Sequence, residues 1–82
     1  MIIMLLHVIS LKGIQFDGEI VSLNLKTTSG EITVLSKHRP LVTEIISGRA
    51  VITKENGEKE EFKITSGFLE VGANNQATML VN

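Results

Sequence analysis

Period-two alternation, closely spaced turn residues and the lack of any sustained helical periodicity predict an all-β domain, an antiparallel sandwich or small barrel. Alternation is plainest where Val21, Leu23 and Leu25 face one way and Ser22, Asn24 and Lys26 the other, the mark of a half-buried strand. Glycine, asparagine and serine clusters punctuate the chain at roughly 8–12-residue intervals, as expected of short strands joined by turns. With 82 residues the chain makes one domain, 1–82. A domain of this size buries only about 60–65% of the surface its unfolded chain exposes, so its stability margin is thin.

Residues 2–10, IIMLLHVIS, read as a first strand buried on both faces, because apolar residues run on without alternating. The same stretch lacks the positive start and small-residue cleavage site of a secretory signal. It also falls well short of the ~20 apolar residues that span a bilayer. Lys12-Gly13 is a turn, Ile14 and Phe16 share one side of a short extended piece, and Asp17-Gly18 turns the chain again. After the strand around Leu23, Thr28-Ser29-Gly30 leads into GEITVLSKHRP, residues 30–40, the stretch around which the chain is organised. There Ile32 and Val34 point one way, Thr33 and Leu35 the other, and Ser36, Lys37, His38 and Arg39 form a polar cluster closed by the single proline, Pro40.

The next run, LVTEIIS at 41–47, fits one helical face as well as a strand. Its β-branched residues and short length favour strand. Residues 49–54 (RAVITK) and 59–65 (KEEFKIT) flank Glu55-Asn56-Gly57-Glu58, with Asn-Gly placed for a tight hairpin turn. Ser66-Gly67 makes a bend, Phe68–Val71 a strand, Gly72–Asn75 a polar turn and Gln76–Val81 the last strand.

Composition removes several functions. The net charge is −1, the eight lysines and arginines are interspersed with nine acids, and tryptophan and tyrosine are missing. Nucleic-acid binding therefore lacks both its electrostatic and its stacking contributions. Without cysteine there is no disulfide framework, and a zinc site would have to form without thiolates. His7 lies in the apolar first strand, where a satisfied structural histidine is the ordinary outcome. His38 stands between Lys37 and Arg39 with no ligand spacing around it, so no metal site is expected. None of the serines sits in a G-x-S-x-G elbow, and Glu60-Glu61 alternate to opposite faces of a strand. Catalysis has no candidate residue. For Ser36–Arg39 the residues leave two readings: a solvated loop, or an interaction loop held by rigid strands.

The whole pattern resembles a known family. The run FDGEIVSLNLKTTSGEITVLSKHRPLVTEIISGRAVI, with TSGFLEV and ATMLVN after it, is similar to the N-terminal β-sandwich of the epsilon subunit of F-type ATP synthase, named delta in mitochondria. Four pieces carry the likeness in order. Phe16-Asp17-Gly18-Glu19-Ile20 matches an F-x-G-E-V piece, and Gly30-Glu31, Leu35, His38, Pro40 and Leu41 match G-E-x-x-x-L-x-x-H-x-P-L. Gly48 precedes an alternating strand, and Ser66-Gly67-Phe68-Leu69-Glu70-Val71 matches G-G-F-L-E-V. Departures from the family pattern are Thr33 for glycine, Ser36 for proline, Arg39 for alanine and Ser66 for glycine.

That resemblance implies an antiparallel β-sandwich of about ten short strands in two five-stranded sheets. It implies a non-catalytic central-stalk (rotor) subunit that binds the gamma subunit and contacts the polar loops of the membrane c-ring, coupling proton translocation to ATP synthesis or hydrolysis. Carried over residue by residue, Glu31 and His38 are expected to face the c-ring, with Ser36, Lys37 and Arg39 as rim contacts. The family commonly continues into a C-terminal helical hairpin that restrains hydrolysis or binds ATP. This sequence stops at Asn82, just after the last strand, so neither activity is expected of these residues. No cofactor, no metal and no direct membrane insertion are expected, and the complex would place the chain peripherally on the cytoplasmic face of an energy-transducing membrane. The competing reading is a free-standing β-sandwich protein-interaction module unrelated to the synthase.

Overall fold

The computed structural model describes residues 3–82. Nine strands follow one another: β1 (Met4–Ser10), β2 (Gly13–Ile20), β3 (Ser22–Thr27), β4 (Gly30–Leu35), β5 (Leu41–Ile45), β6 (Gly48–Thr53), β7 (Lys59–Ile64), β8 (Gly67–Val71) and β9 (Gln76–Val81). They hydrogen-bond in the order β2-β1-β9-β8-β5-β3-β6-β7, and β4 covers the remaining edge of β3. All pairs are antiparallel except β1 with β9, which is parallel.

The ladder is thin at one point. β5 meets β3 through the single pair Thr27↔Ile45, while β6 takes Ser22, Leu23 and Asn24 of the same β3 edge. The sheet doubles over there into two layers, the five strands β2-β1-β9-β8-β5 and the four strands β4-β3-β6-β7. The all-β sandwich thus matches expectation, with nine strands among the described residues rather than about ten. One core lies between the layers. Met4, Leu6, Val8, Ile20, Leu69 and Met79 point into it from the first, Leu23, Leu25, Val34, Ala50, Ile52 and Ile64 from the second. At the fold line the buried Thr27 keeps its hydroxyl satisfied, donating to the Gly30 carbonyl at 2.9 Å and accepting from the Ser29 N–H at 3.1 Å. An unpaired hydroxyl in that position would cost about 1–3 kcal/mol.

Three local expectations need correction. The first strand is buried on one face only: Met4, Leu6 and Val8 face the core, while Leu5 and Ile9 are partly exposed on the other side. Ile2, part of that expected strand, lies outside the described residues. Asp17-Gly18 does not turn the chain; both residues are ladder positions in β2, opposite His7 and Leu6. Asp17 Oδ1 lies 2.7 Å from His7 Nδ1, and this cross-strand pair with the β1 ladder overrides the local turn preference. Finally, the β1–β2 register shifts between Val8↔Phe16 and Ile9↔Ile14, leaving Gln15 as a bulged residue. Ile14 and Phe16 consequently face opposite sides: Phe16 inward against Phe62, ring centroids 6.3 Å apart, and Ile14 outward.

The hairpin at 54–58 forms where Asn-Gly predicts it. The Lys54 N–H donates to the Glu58 carbonyl at 2.8 Å, the Gly57 N–H to the Lys54 carbonyl at 2.9 Å, and Gly57 takes φ +89°. Glycine meets that requirement at no steric cost. The ambiguous run at 41–47 is strand β5, as its β-branched content favours. Gly67 answers a different need, since an added Cβ there would press on the backbone carbonyl oxygen of Leu80. Replacing fully buried Leu23 with alanine is expected to lower stability by about 2–5 kcal/mol in urea unfolding. Val42→Ala, at a position 72% exposed on the outer face of β5, is expected to change it by less than about 0.5 kcal/mol.

Candidate interaction surfaces

The polar loop Ser36–Arg39 is built as a tight turn on the end of β4. The His38 N–H donates to the Leu35 carbonyl at 3.1 Å, closing the turn. Its third position, Lys37, has φ +67°, a left-handed conformation that a lysine adopts at a cost. A distant side chain compensates. Asn75 Oδ1 accepts from the Lys37 N–H at 2.7 Å and from the Ser36 hydroxyl at 3.1 Å. Its Nδ2 donates to the Ile3 carbonyl at 2.9 Å, and its own backbone carbonyl accepts from the Leu5 N–H at 3.3 Å. Asn75 itself sits at φ +64°, which asparagine tolerates better than most residues. One amide therefore ties together the loop, the N-terminal strand and the turn before β9. Sequence reasoning assigned Asn75 only to a polar turn, because its bonding partners are remote along the chain.

The presented groups differ in exposure. Lys37 and Arg39 are exposed, and neither belongs to an ion pair among the described residues. Ser36 and His38 are half-buried. His38 Nδ1 lies 2.8 Å from the Arg39 carbonyl, which can only accept, so Nδ1 carries a proton and Nε2 is the nitrogen left for a partner. Glu31 is exposed at the other end of β4, opposite Lys26 on β3. Four residue steps of about 3.3 Å separate Glu31 from Leu35, and His38 lies further on. The structure thus brings Ser36, Lys37, His38 and Arg39 together but leaves Glu31 at the opposite end of the same edge strand.

A second surface escaped the sequence reading. On the outer face of the five-stranded layer, Ile14, Ile9, Leu80 and Phe68 lie side by side across β2, β1, β9 and β8, joined by the pairs Ile9↔Ile14, Ile9↔Leu80 and Phe68↔Leu80. Their exposures are 67%, 37%, 52% and 55% in that order. Val42 on β5 adds to them across a shallow groove of about 220 Å³ that it lines with Phe68, Leu80, Glu70 and Thr78. Isolated exposed apolar residues need no explanation, but an adjacent row of them is a mark of interaction surfaces. The alternation Phe68-Leu69-Glu70-Val71 carried part of the signal; the bulge that turns Ile14 outward carried none.

Neither surface resembles a reaction centre. A cleft of about 430 Å³ beside β1, β2 and β7 has Lys12 and Lys63 as its charged lining residues, with no carboxylate or histidine side chain in its lining. Among the described residues no group of three or more histidines and carboxylates could hold a metal ion. Lys37→Gly, which relieves the left-handed strain, is expected to raise stability by about 1 kcal/mol in thermal or urea unfolding. Asn75→Ala is expected to lower it by about 1–2 kcal/mol and to speed amide hydrogen exchange at Lys37 and His38 more than in the core strands.

Residues 3–82 match the family model described as the β-sandwich domain of the ATP synthase delta/epsilon chain. Among relatives, the chain is 34% identical over 65 residues to the ATP synthase epsilon chain of Dichelobacter nodosus, covering 79% of this chain and 46% of that one. It is 39% identical over 69 residues to the epsilon chain from Endomicrobium trichonymphae, covering 84% and 49% respectively. The chain thus spans about half the length of the curated relatives it matches. Among solved structures, a chain in a mitochondrial ATP synthase assembly from Euglena gracilis that includes the c-ring superposes with a TM-score of 0.91 at 20% identity, over 96% of this chain and 50% of that one. A chain in the central stalk and c-ring structure from Tetrahymena thermophila gives a TM-score of 0.79 at 15% identity, over 95% and 62%. At those identities the structures establish a shared fold, while the family model and the relatives establish kinship: the chain belongs to the ATP synthase delta/epsilon β-sandwich family.

Proposed function

We propose that this chain is a non-catalytic rotor subunit of an F-type ATP synthase, binding the gamma subunit and contacting the polar loops of the c-ring. In this reading the c-ring lies along the free edge of β4, with Glu31 at one end and His38 at the other, and Ser36, Lys37 and Arg39 form the rim. The observation that carries it is the left-handed Lys37 turn, pinned by Asn75 at the end of that edge. A loop held this firmly meets a partner with little ordering entropy to lose. Family membership supports the reading, and so does the packing of the core, since a close-packed sandwich deforms little under torque. Among the described residues no helix is long and apolar enough to cross a membrane. In the proposed complex the chain is held peripherally, on the cytoplasmic face.

Two measurements test this. Size-exclusion chromatography of the chain mixed with gamma from the same organism is expected to give a stable one-to-one peak; separate elution would count against the rotor role. In the assembled synthase, Glu31→Ala and His38→Ala are each expected to lower ATP-driven proton pumping relative to ATP hydrolysis. Melting of the isolated domain should shift by no more than about 4 °C. If either substitution unfolds the domain instead, that residue is structural and does not face the ring.

A further inference from the structure

The two layers are hydrogen-bonded where β5 meets β3, whereas β2 and β7, the two ends of the strand order, meet through side chains. Phe16 and Phe62 close that seam, with Lys54 Nζ 5.9 Å from the Phe16 ring centroid. Past the rings, at the end of the sandwich where β1, β7 and β9 finish and β2 begins, the seam opens into the cleft of about 430 Å³. Its floor belongs to the core: Val8 and Ile64 are buried, and Phe62 and Val81 pack against the same cluster. Leu11 stands beside it, fully exposed in the β1–β2 turn. Ser10 Oγ holds that turn, accepting from the Lys12 N–H at 3.1 Å and from Gln15 Nε2 at 2.9 Å. Charge here has one sign. Of the nine acidic residues in the chain none lines the cleft, while Lys12 and Lys63 do, one from each layer. Neither lysine belongs to an ion pair among the described residues.

We propose that this cleft binds a free amphipathic anion, a single short alkyl chain ending in a carboxylate. The volume lies at the low end of the ~300–1,000 Å³ of small-molecule sites, which suits one short chain rather than a two-chain lipid. The chain covers Leu11 and the apolar floor, removing both from water. The lysine stems lie along apolar surface while their ammonium groups stay at the solvent edge, where a compact point charge meets a single carboxylate. A cationic amphiphile is rejected by the same two charges. Nucleotides and other polyphosphates are poorly served, since neither a helix N-terminus nor a run of glycine N–H groups faces the cleft. The site lies at the opposite end of β1 and β9 from the loop pinned by Asn75, so occupying it leaves that loop in place. Nothing in the proposal depends on the rotor role, and its test does not involve gamma.

The probe is octanoate, titrated below its micelle-forming concentration into the full isotope-labelled chain and followed by NMR. Saturable shifts are expected at the amides of Leu11, Lys12, Ile64 and Val81, with those of Lys37, His38 and Phe68 left in place. Lys12→Gln combined with Lys63→Gln is expected to weaken octanoate binding about fivefold, an effect that shrinks at high salt. Leu11→Asp should weaken it about tenfold. All three positions are exposed, and melting temperature checks that each variant is folded. Octanol is expected to bind the wild-type chain about as weakly as octanoate binds the double lysine variant, and octylammonium more weakly still.

Three results would overturn the assignment. Octanoate that shifts the outer apolar row around Ile9, Leu80 and Phe68 instead of the cleft is adsorbing to exposed apolar surface. Octanol that binds as tightly as octanoate, with the lysine variant unchanged, shows an apolar pocket without recognition of an anion. Flotation with phosphatidylglycerol vesicles that the lysine variant abolishes, in a chain that octanoate does not shift, would assign the cleft to a membrane surface rather than to a free ligand. Association with gamma is measured on separate samples, so a one-to-one peak without octanoate binding removes this site and keeps the rotor role, and the reverse pair of results does the opposite.

Discussion

Strand β3 has two edges and three neighbours, and the architecture follows from how they share it. β4 occupies one edge along its whole length, while the other is divided between β6 at its start and β5 at its last residue. A strand cannot bond fully to two partners on one edge, so β5 and β6 diverge and the sheet folds over between them. The fold line falls at Thr27, where the backbone turns while the side chain stays buried. Its hydroxyl bonds within the β3–β4 turn, to the Gly30 carbonyl and the Ser29 N–H, so it stays satisfied where the two layers part. With the layers stacked, every outward position is fixed by the period of two, including the apolar row and the charges that surround it.

Local chemistry made some of this legible. The alternation through Leu23 and Leu25, the Asn56-Gly57 hairpin and the β-branched run at 41–45 each specify their own conformation, and each forms as the residues dictate. What failed did so for lack of a partner in view. Asp17-Gly18 favours a turn in isolation, but β1 offers it a full ladder and a histidine. The first strand reads as buried on both sides because apolar residues left on an outer face look the same, in sequence, as those bound for a core. The Ser36–Arg39 loop was visible as a polar cluster, whereas its anchor, Asn75, was not. Glu31 and His38 matched a family pattern together, but a strand lies between them and pairing by motif carries no distance.

Stability and function draw on different residues in this domain. The core positions are almost wholly aliphatic and interdigitate from both layers, so they hold the shape whatever binds outside. The candidate contacts are outward strand positions and one pinned loop, where charge can change at little cost to folding. A small domain with a thin margin also gains from any partner that binds its folded form alone, since bound free energy adds to folding free energy. An exposed row of Ile14, Ile9, Leu80 and Phe68 is a liability in a free protein and a source of stability in a complex.

The parallel pairing of β1 with β9 has a kinetic consequence. Leu5 is registered with Gln76 and Ile9 with Leu80, so the middle of the five-stranded layer joins the two ends of the described chain. Closing so long a loop carries an entropic cost before any contact rewards it, and folds dominated by such pairings cross their barriers slowly. During synthesis β1 and β2 emerge first and can form only a two-stranded ribbon, which is marginal in water. The hairpins β1–β2, β3–β4, β6–β7 and β8–β9 are all local and can assemble early, whereas the β1–β9 pairing must wait for both of its hairpins. The apolar outer row is therefore assembled in two halves: Ile9↔Ile14 and Phe68↔Leu80 form within hairpins, and the long-range pair Ile9↔Leu80 joins them into one surface.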